Sequence, residues 1–251
     1  MTSYPAPPPP APPPPTGSAA TGAAAPPPAP ARSAFGPRRA LVGIPLLLLV
    51  VSIEVAVVSI FDPNLKGLGA KLALQALLAM TLAAVAFLLA GNDGRPAQPA
   101  TLGLRRPPAS AFWIAFLGLV VYFTFAILYG SFVGPHQKDI TRSLGYGRGA
   151  GVSIAVGTLI VLAAPISEEI FFRGFLFGGL RRRLPFVAAA VISAAIFGVF
   201  HYTGSGSVTL LPQLAALGLV QAWIYERSGS IVPTIGVHML NNALAFALIA
   251  S

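Results

Sequence analysis

From Ala40 onward the chain alternates long apolar runs with short polar or basic connections. The runs cover about Ala40–Phe61, Leu68–Ala90, Ala111–Val133 and Val152–Leu180, then more tightly about Phe186–Tyr202, Val208–Tyr225 and Ile231–Ala250. A bilayer core of ~30 Å needs about 20 helical residues to cross it. The pattern therefore predicts an all-α, polytopic transmembrane helical bundle of about seven spans. The fourth run is longer than one span requires, so it is expected to be tilted or broken, with Pro165 the place for a break.

Composition changes the picture only ahead of the first run. Residues Met1 to about Arg39 are dominated by Pro, Ala, Gly and Ser, including Pro7–Pro10 and Pro12–Pro15. Such a stretch cannot bury enough apolar surface to fold, so 1–39 is read as a disordered cytoplasmic tail, partly polyproline II. It does not look like a signal peptide, because the first apolar run comes only after Arg38 and Arg39. Residues 40–149 are read as N-terminal transmembrane helices and loops, and 150–251 as the part that carries chemistry. With 55% hydrophobic residues and 9% charged, soluble folding is excluded. The net charge of +9 is scattered between apolar runs rather than gathered on a stripe, which argues against nucleic acid and for membrane topology. Arginines before the first span, between the second and third, after the fourth and after the sixth give a cytoplasmic N-terminus by the positive-inside rule. Absence of cysteine removes thiolate nucleophiles and Cys-based metal sites.

The chemistry lies in Ala164-Pro165-Ile166-Ser167-Glu168-Glu169-Ile170-Phe171-Phe172-Arg173-Gly174. A charge at bilayer depth costs roughly 2.5–3.5 kcal/mol on insertion scales, so two acids and an arginine here need a reason. Glu169 and Arg173 share a helical face at i,i+4, with the acid N-terminal to the base, the favourable order for an ion pair. Glu168 points elsewhere and must find its partner on another helix. Phe197 and His201 share a face in one later run, and His238 and Asn242 share one in another. At about 1.5 Å rise per residue, Glu168 lies ~20 Å from Arg181, His201 ~24 Å from Pro185, and His238 and Asn242 ~14 and ~20 Å from Gly229. The polar groups thus converge on one layer. An acid, two imidazoles and an amide suit general-base chemistry on water, with donors left for an oxyanion.

On these residues the sequence resembles the CPBP family of intramembrane proteases, which includes type II CAAX prenyl endopeptidases and bacterial proteins linked to bacteriocin self-immunity (Abi). The Glu-Glu-x-x-x-Arg motif is met by Glu168, Glu169 and Arg173, Phe-x-x-x-His by Phe197 and His201, and His-x-x-x-Asn by His238 and Asn242. The resemblance implies that 150–251 is a catalytic core in which Glu168 and His201 activate a water, while His238 and Asn242 hold the oxyanion. Glu169, Arg173 and Phe197 would support the site. It implies a hydrolase acting on membrane-associated peptides or proteins, in contact with membrane lipid, in a bacterial cell membrane. A metal is left open: Glu168, His201 and His238 are candidate ligands for a divalent ion such as zinc, and equally run a metal-free hydrolysis. A non-catalytic membrane adaptor or immunity-type protein is the alternative. A transporter is disfavoured because the chain has no internal repeat.

Other polar groups in or near the spans have plainer readings. Glu54 either lines the cavity or pairs with an unidentified donor. Asn241 is read as a helix–helix donor and Gly174 with Gly178 as a close-approach site for a neighbouring helix. His136 is read as a solvated loop histidine, and Arg181–Arg183 as a headgroup anchor.

Overall fold

A computed structural model of the chain describes residues 35–134 and 140–250. The expected tail up to residue 34, and His136, lie outside the described residues. Among the described residues seven long helices carry the fold: α1 Pro37–Phe61, α2 Leu68–Ala90, α3 Ala111–Val133, α4 Ala150–Arg181, α5 Phe186–Phe200, α6 Leu211–Ser228 and α7 Val232–Ala250. Among the described residues five helical stretches, including α6 with the turn before it, are long and apolar enough to cross a membrane, and α5 and α7 are shorter apolar helices. The protein is a polytopic helical membrane protein. Its outward faces are apolar, with Phe61 and Phe132 85% and 86% exposed, as lipid-facing side chains can be.

The first helix starts ahead of the expected Ala40. Pro37 occupies the first turn, where its missing N–H is no loss, and Phe35 before it is buried and stacked on Phe175 at 5.1 Å. Arg39 does more than mark an interface. Its guanidinium donates to the Gly91 carbonyl at 2.6 Å and to Asn92 Oδ1 at 3.2 Å, capping the C-terminus of α2 with a cation. That bond joins the start of α1 to the end of α2, which pack as antiparallel neighbours.

At the centre stands α4, packed against α1, α2, α5, α6 and α7. Every residue from Glu169 to Phe177 is buried. Of the two forms expected for this run, tilted or broken, the break at Pro165 is not found, and the helix continues through it. It widens instead: Leu159–Ala163 and Glu169–Phe177 wind as π-helix around the α turn Ala164–Glu168. The wide turn before Pro165 lets the Ala164 N–H reach back to the Leu159 carbonyl, and the ring is accommodated within a continuous helix.

Small residues set the helix spacings. A Cβ on Gly218 would sit 3.0 Å from Ala194 Cα, and one on Gly198 would sit 2.9 Å from the Leu211 carbonyl, so α5 and α6 touch backbone to backbone. Gly174 does not admit a helix as expected. Its near neighbour is the Leu102 carbonyl of the 3-10 turn Pro99–Leu102, 2.4 Å from where a Cβ would stand, while Gly179 faces Ala40 and Phe35. Glu54 finds its donor in the Thr81 hydroxyl of α2, which settles the choice between cavity and partner in favour of the partner. Arg181 forks onto Glu226 at 2.5 and 3.1 Å and also donates to the Leu184 carbonyl at 2.8 Å, fastening the end of α4 to the end of α6.

Gly174→Ala should lower stability by about 1–3 kcal/mol, because a backbone carbonyl cannot step aside as a side chain can. Gly69→Ala, with nothing within 4 Å of the new methyl, should melt like the parent. Thermal unfolding in detergent compares the two, and equal midpoints would refute the tight contact at Gly174.

Candidate active site

Three helices deliver the motif side chains to one place. Glu168 and Glu169 come from the junction of α turn and π segment in α4, His201 caps the C-terminus of α5, and His238 lies on α7. The π winding matters here because it alters the angle between successive side chains, and such segments recur at functional sites.

Glu169 is fully buried and holds two cationic or polar neighbours through one oxygen. Arg173 Nη1 stands 3.0 Å from Oε1, and His238 Nδ1 stands 2.9 Å from the same atom. The i,i+4 ion pair expected from the sequence is present, and the histidine contact adds a second helix to it. Arg173, 1% exposed, is further held by Gln221 Oε1 of α6 and lies over the Phe197 ring with its guanidinium carbon 4.2 Å from the centroid. Phe197 also packs edge-on against Phe172 at 5.1 Å, His201 at 4.8 Å and His238 at 5.7 Å. It is the apolar hub on which both imidazoles rest.

Gln221 was not singled out by sequence reasoning. The signal was present: one amide in the otherwise apolar stretch Leu214–Ile224, fully buried. Ser193 is a second addition, its hydroxyl donating to the Phe172 carbonyl at 3.0 Å.

Glu168 is arranged differently from its neighbour. Glu169 leaves its Oε2 without a hydrogen bond but meets two partners through Oε1, whereas Glu168 Oε2 is buried and makes no hydrogen bond among the described residues. It stands 3.7 Å from His201 Nε2 and 3.8 Å from His238 Nε2, beyond direct hydrogen-bond length. The partner helices expected for Glu168 are therefore α5 and α7.

The tautomers follow from the other ring nitrogens. His201 Nδ1 lies 2.8 Å from the Phe197 carbonyl, which can only accept, so Nδ1 carries the proton and Nε2 faces Glu168. That carbonyl needs the ring, because the His201 backbone N–H turns to Gly198 instead, 3.0 Å away. His238 Nδ1 likewise donates to the Glu169 carboxylate and turns its Nε2 toward Glu168.

Asn242 lies one turn beyond His238 and donates through Nδ2 to the Ile160 carbonyl of α4 at 3.0 Å. The helix-to-helix bond expected of Asn241 belongs to Asn242, and Asn241 instead donates to Asn242 Oδ1 at 3.2 Å. As to a metal, two imidazole Nε2 atoms and a carboxylate are suitable donor types. Even so, among the described residues no group of three His, Cys, Asp or Glu side chains is so arranged that it could hold a metal ion.

With this geometry in view, the comparisons with known proteins fall into place. The family model of Rce1-like type II CAAX prenyl endopeptidases matches residues 150–244, the stretch that holds every motif side chain. A Lactococcus lactis protein, UPF0177 protein YxdF, is 30% identical over 135 residues, which is 51% of this chain and 70% of that one. The chain belongs to the CPBP family. A putative membrane peptidase of Bacillus subtilis, YdiL, is 29% identical to this CPBP protein over 125 residues. That match covers 50% of the chain and 46% of the relative, so under half of the Bacillus protein is represented. No solved structure matches the chain.

Glu169→Ala and Arg173→Ala should each destabilise the fold by about 3–5 kcal/mol, because either leaves a buried charge unpaired. The double replacement should cost less than the sum of the two. Thermal unfolding of the three variants in one detergent measures this, and additive losses would show that the two charges do not depend on each other.

Proposed function

We propose that this CPBP protein is an intramembrane endopeptidase of the CAAX-protease type, hydrolysing a peptide bond of a membrane-associated substrate with water activated by Glu168 and His201. The observation that carries the reading is the Glu168 Oε2 atom: buried, without a hydrogen bond, and flanked at 3.7 and 3.8 Å by two imidazole nitrogens. A purely structural acid at this depth would be paired, as Glu169 is. An oxygen about 2.8 Å from each of two atoms 3.7 Å apart reaches both, so a water can donate one proton toward the carboxylate and one toward His201 Nε2.

The chemical roles follow from the tautomers. Glu168 and His201 both present acceptors, so together they take the proton as the water oxygen bonds to the substrate carbonyl carbon. The pair then returns a proton to the departing amine nitrogen as the C–N bond breaks. His238, oriented by the Glu169 carboxylate, points its Nε2 toward the same space, where an Nε2–H would donate to the oxyanion of the tetrahedral intermediate. Arg173, Phe197 and Gln221 hold this arrangement without touching substrate. The site works inside apolar surroundings, where such fixed donors and charges act more strongly than in water.

Membrane lipid and a membrane-associated peptide are the proposed partners. Arg39 and Arg181 lie at one end of the bundle, where Gly179 near the end of α4 meets Ala40 and Phe35 at the start of α1. This supports a cytoplasmic location for that end and hence for the N-terminus.

Glu168→Gln keeps the shape of the side chain and removes the base. Cleavage of a membrane-derived peptide by the purified protein should fall by roughly 10²–10⁴-fold, with the melting midpoint close to the parent's. An adaptor has no cleavage to lose, and a transporter would change flux without producing cleaved peptide. Full cleavage by the variant overturns the mechanism.

A further inference from the structure

We propose that Asn242 is a positioning residue whose amide replaces the backbone N–H that Pro165 lacks, so that the Pro165–Asn242 pair holds α7 against α4 at the site. In an α-helix a carbonyl is met by the N–H four residues on, and in a π-helix by the one five residues on. Around Ile160 neither serves. The Ala164 N–H donates to the Leu159 carbonyl, and position 165 is a proline with no N–H. An unpaired carbonyl inside a membrane-spanning helix is costly, and the donor comes from another helix. Asn242 Nδ2 supplies it at 3.0 Å, while Asn241 Nδ2 binds Asn242 Oδ1 at 3.2 Å and so fixes which end of the amide faces α4.

The consequence reaches the candidate catalytic groups through geometry. Asn242 and His238 share one face of α7 a turn apart. The bond to Ile160 fastens that face at one point, and the His238–Glu169 bond of 2.9 Å fastens it at a second. Two points on one face set both the height and the roll of α7, and with them the 3.8 Å separation of His238 Nε2 from Glu168. The family resemblance assigns Asn242 to the oxyanion instead. The two roles part company once a backbone N–H is restored at position 165.

The test compares the parent, Asn242→Ala, Pro165→Ala and the double variant, with Glu168→Gln as the control for genuine turnover. Asn242→Ala alone should lower cleavage by about 10–100-fold, the scale of a slight misplacement of reacting groups, and should lower the melting midpoint. Pro165→Ala alone should lower cleavage by a similar factor, about 10–100-fold, while melting near the parent, since the Ile160 carbonyl gains a donor from its own helix and Asn242 loses its hold on α4. In that background Asn242→Ala should cost less than about threefold in cleavage and little in melting, the non-additivity expected of two residues that share one partner. An oxyanion donor would instead lose about 10²–10³-fold in both backgrounds, and that result overturns the proposal. The cleavage arm rests on the protease reading, but the melting arm does not. If the parent shows no Glu168-dependent cleavage, the protease reading fails, and the four midpoints alone decide: additive shifts overturn the Pro165–Asn242 link. Should Pro165→Ala fail to fold, Pro165→Gly supplies the same N–H.

Discussion

The Glu169 carboxylate is the point on which the interior depends. One of its oxygens meets both Arg173 and His238, and the guanidinium it holds is in turn capped by Gln221 and the Phe197 ring. Through these five side chains α4 is tied to α5, α6 and α7. A buried charge without its partner costs several kcal/mol, so each member is needed for the others to be tolerable. The same cluster orients the group next to it, because the hydrogen bond from His238 Nδ1 to Glu169 leaves Nε2 facing Glu168.

Helix irregularity recurs wherever a motif side chain is held. At the end of α5 the last turn tightens, the Phe197 carbonyl loses its backbone donor, and the His201 ring supplies one. Beside Pro165 the Ile160 carbonyl has no helical donor, and Asn242 supplies one. In hydrocarbon such carbonyls cannot turn to bulk water, so an imperfect helix becomes a fixed acceptor that orients a polar side chain. The wide turns of α4 belong to the same pattern.

What packs the rest of the bundle is close contact between small residues. Gly198 and Gly218 bring α5 and α6 together, and Gly118 brings α3 to Ile224 of α6, whose side chain lies 2.7 Å from where a Cβ would be. Between lipid-facing helices there is little hydrophobic gain from association, so backbone approach and buried polar bonds carry more of it. Polar pairs such as Glu54 with Thr81 in α1 and α2 fit this scheme, away from the candidate catalytic groups.

Much of this was legible from residues close together in the chain. Run length determined the spans, and i,i+4 spacing determined that Glu169 meets Arg173, that Phe197 shares a face with His201, and that Glu168 needs a partner elsewhere. These are properties of a single helix, whose periodicity the sequence carries directly. What tertiary structure decided is everything that depends on how one helix is rolled and shifted against another. Gln221 beneath Arg173, Thr81 opposite Glu54, His238 on Glu169 and Asn242 on Ile160 are all contacts between helices. Even the continuity of α4 through Pro165 is of this kind. A proline reads as a helix breaker in isolation, and here a donor from α7 meets the carbonyl left without one, a fact that no spacing within α4 can express.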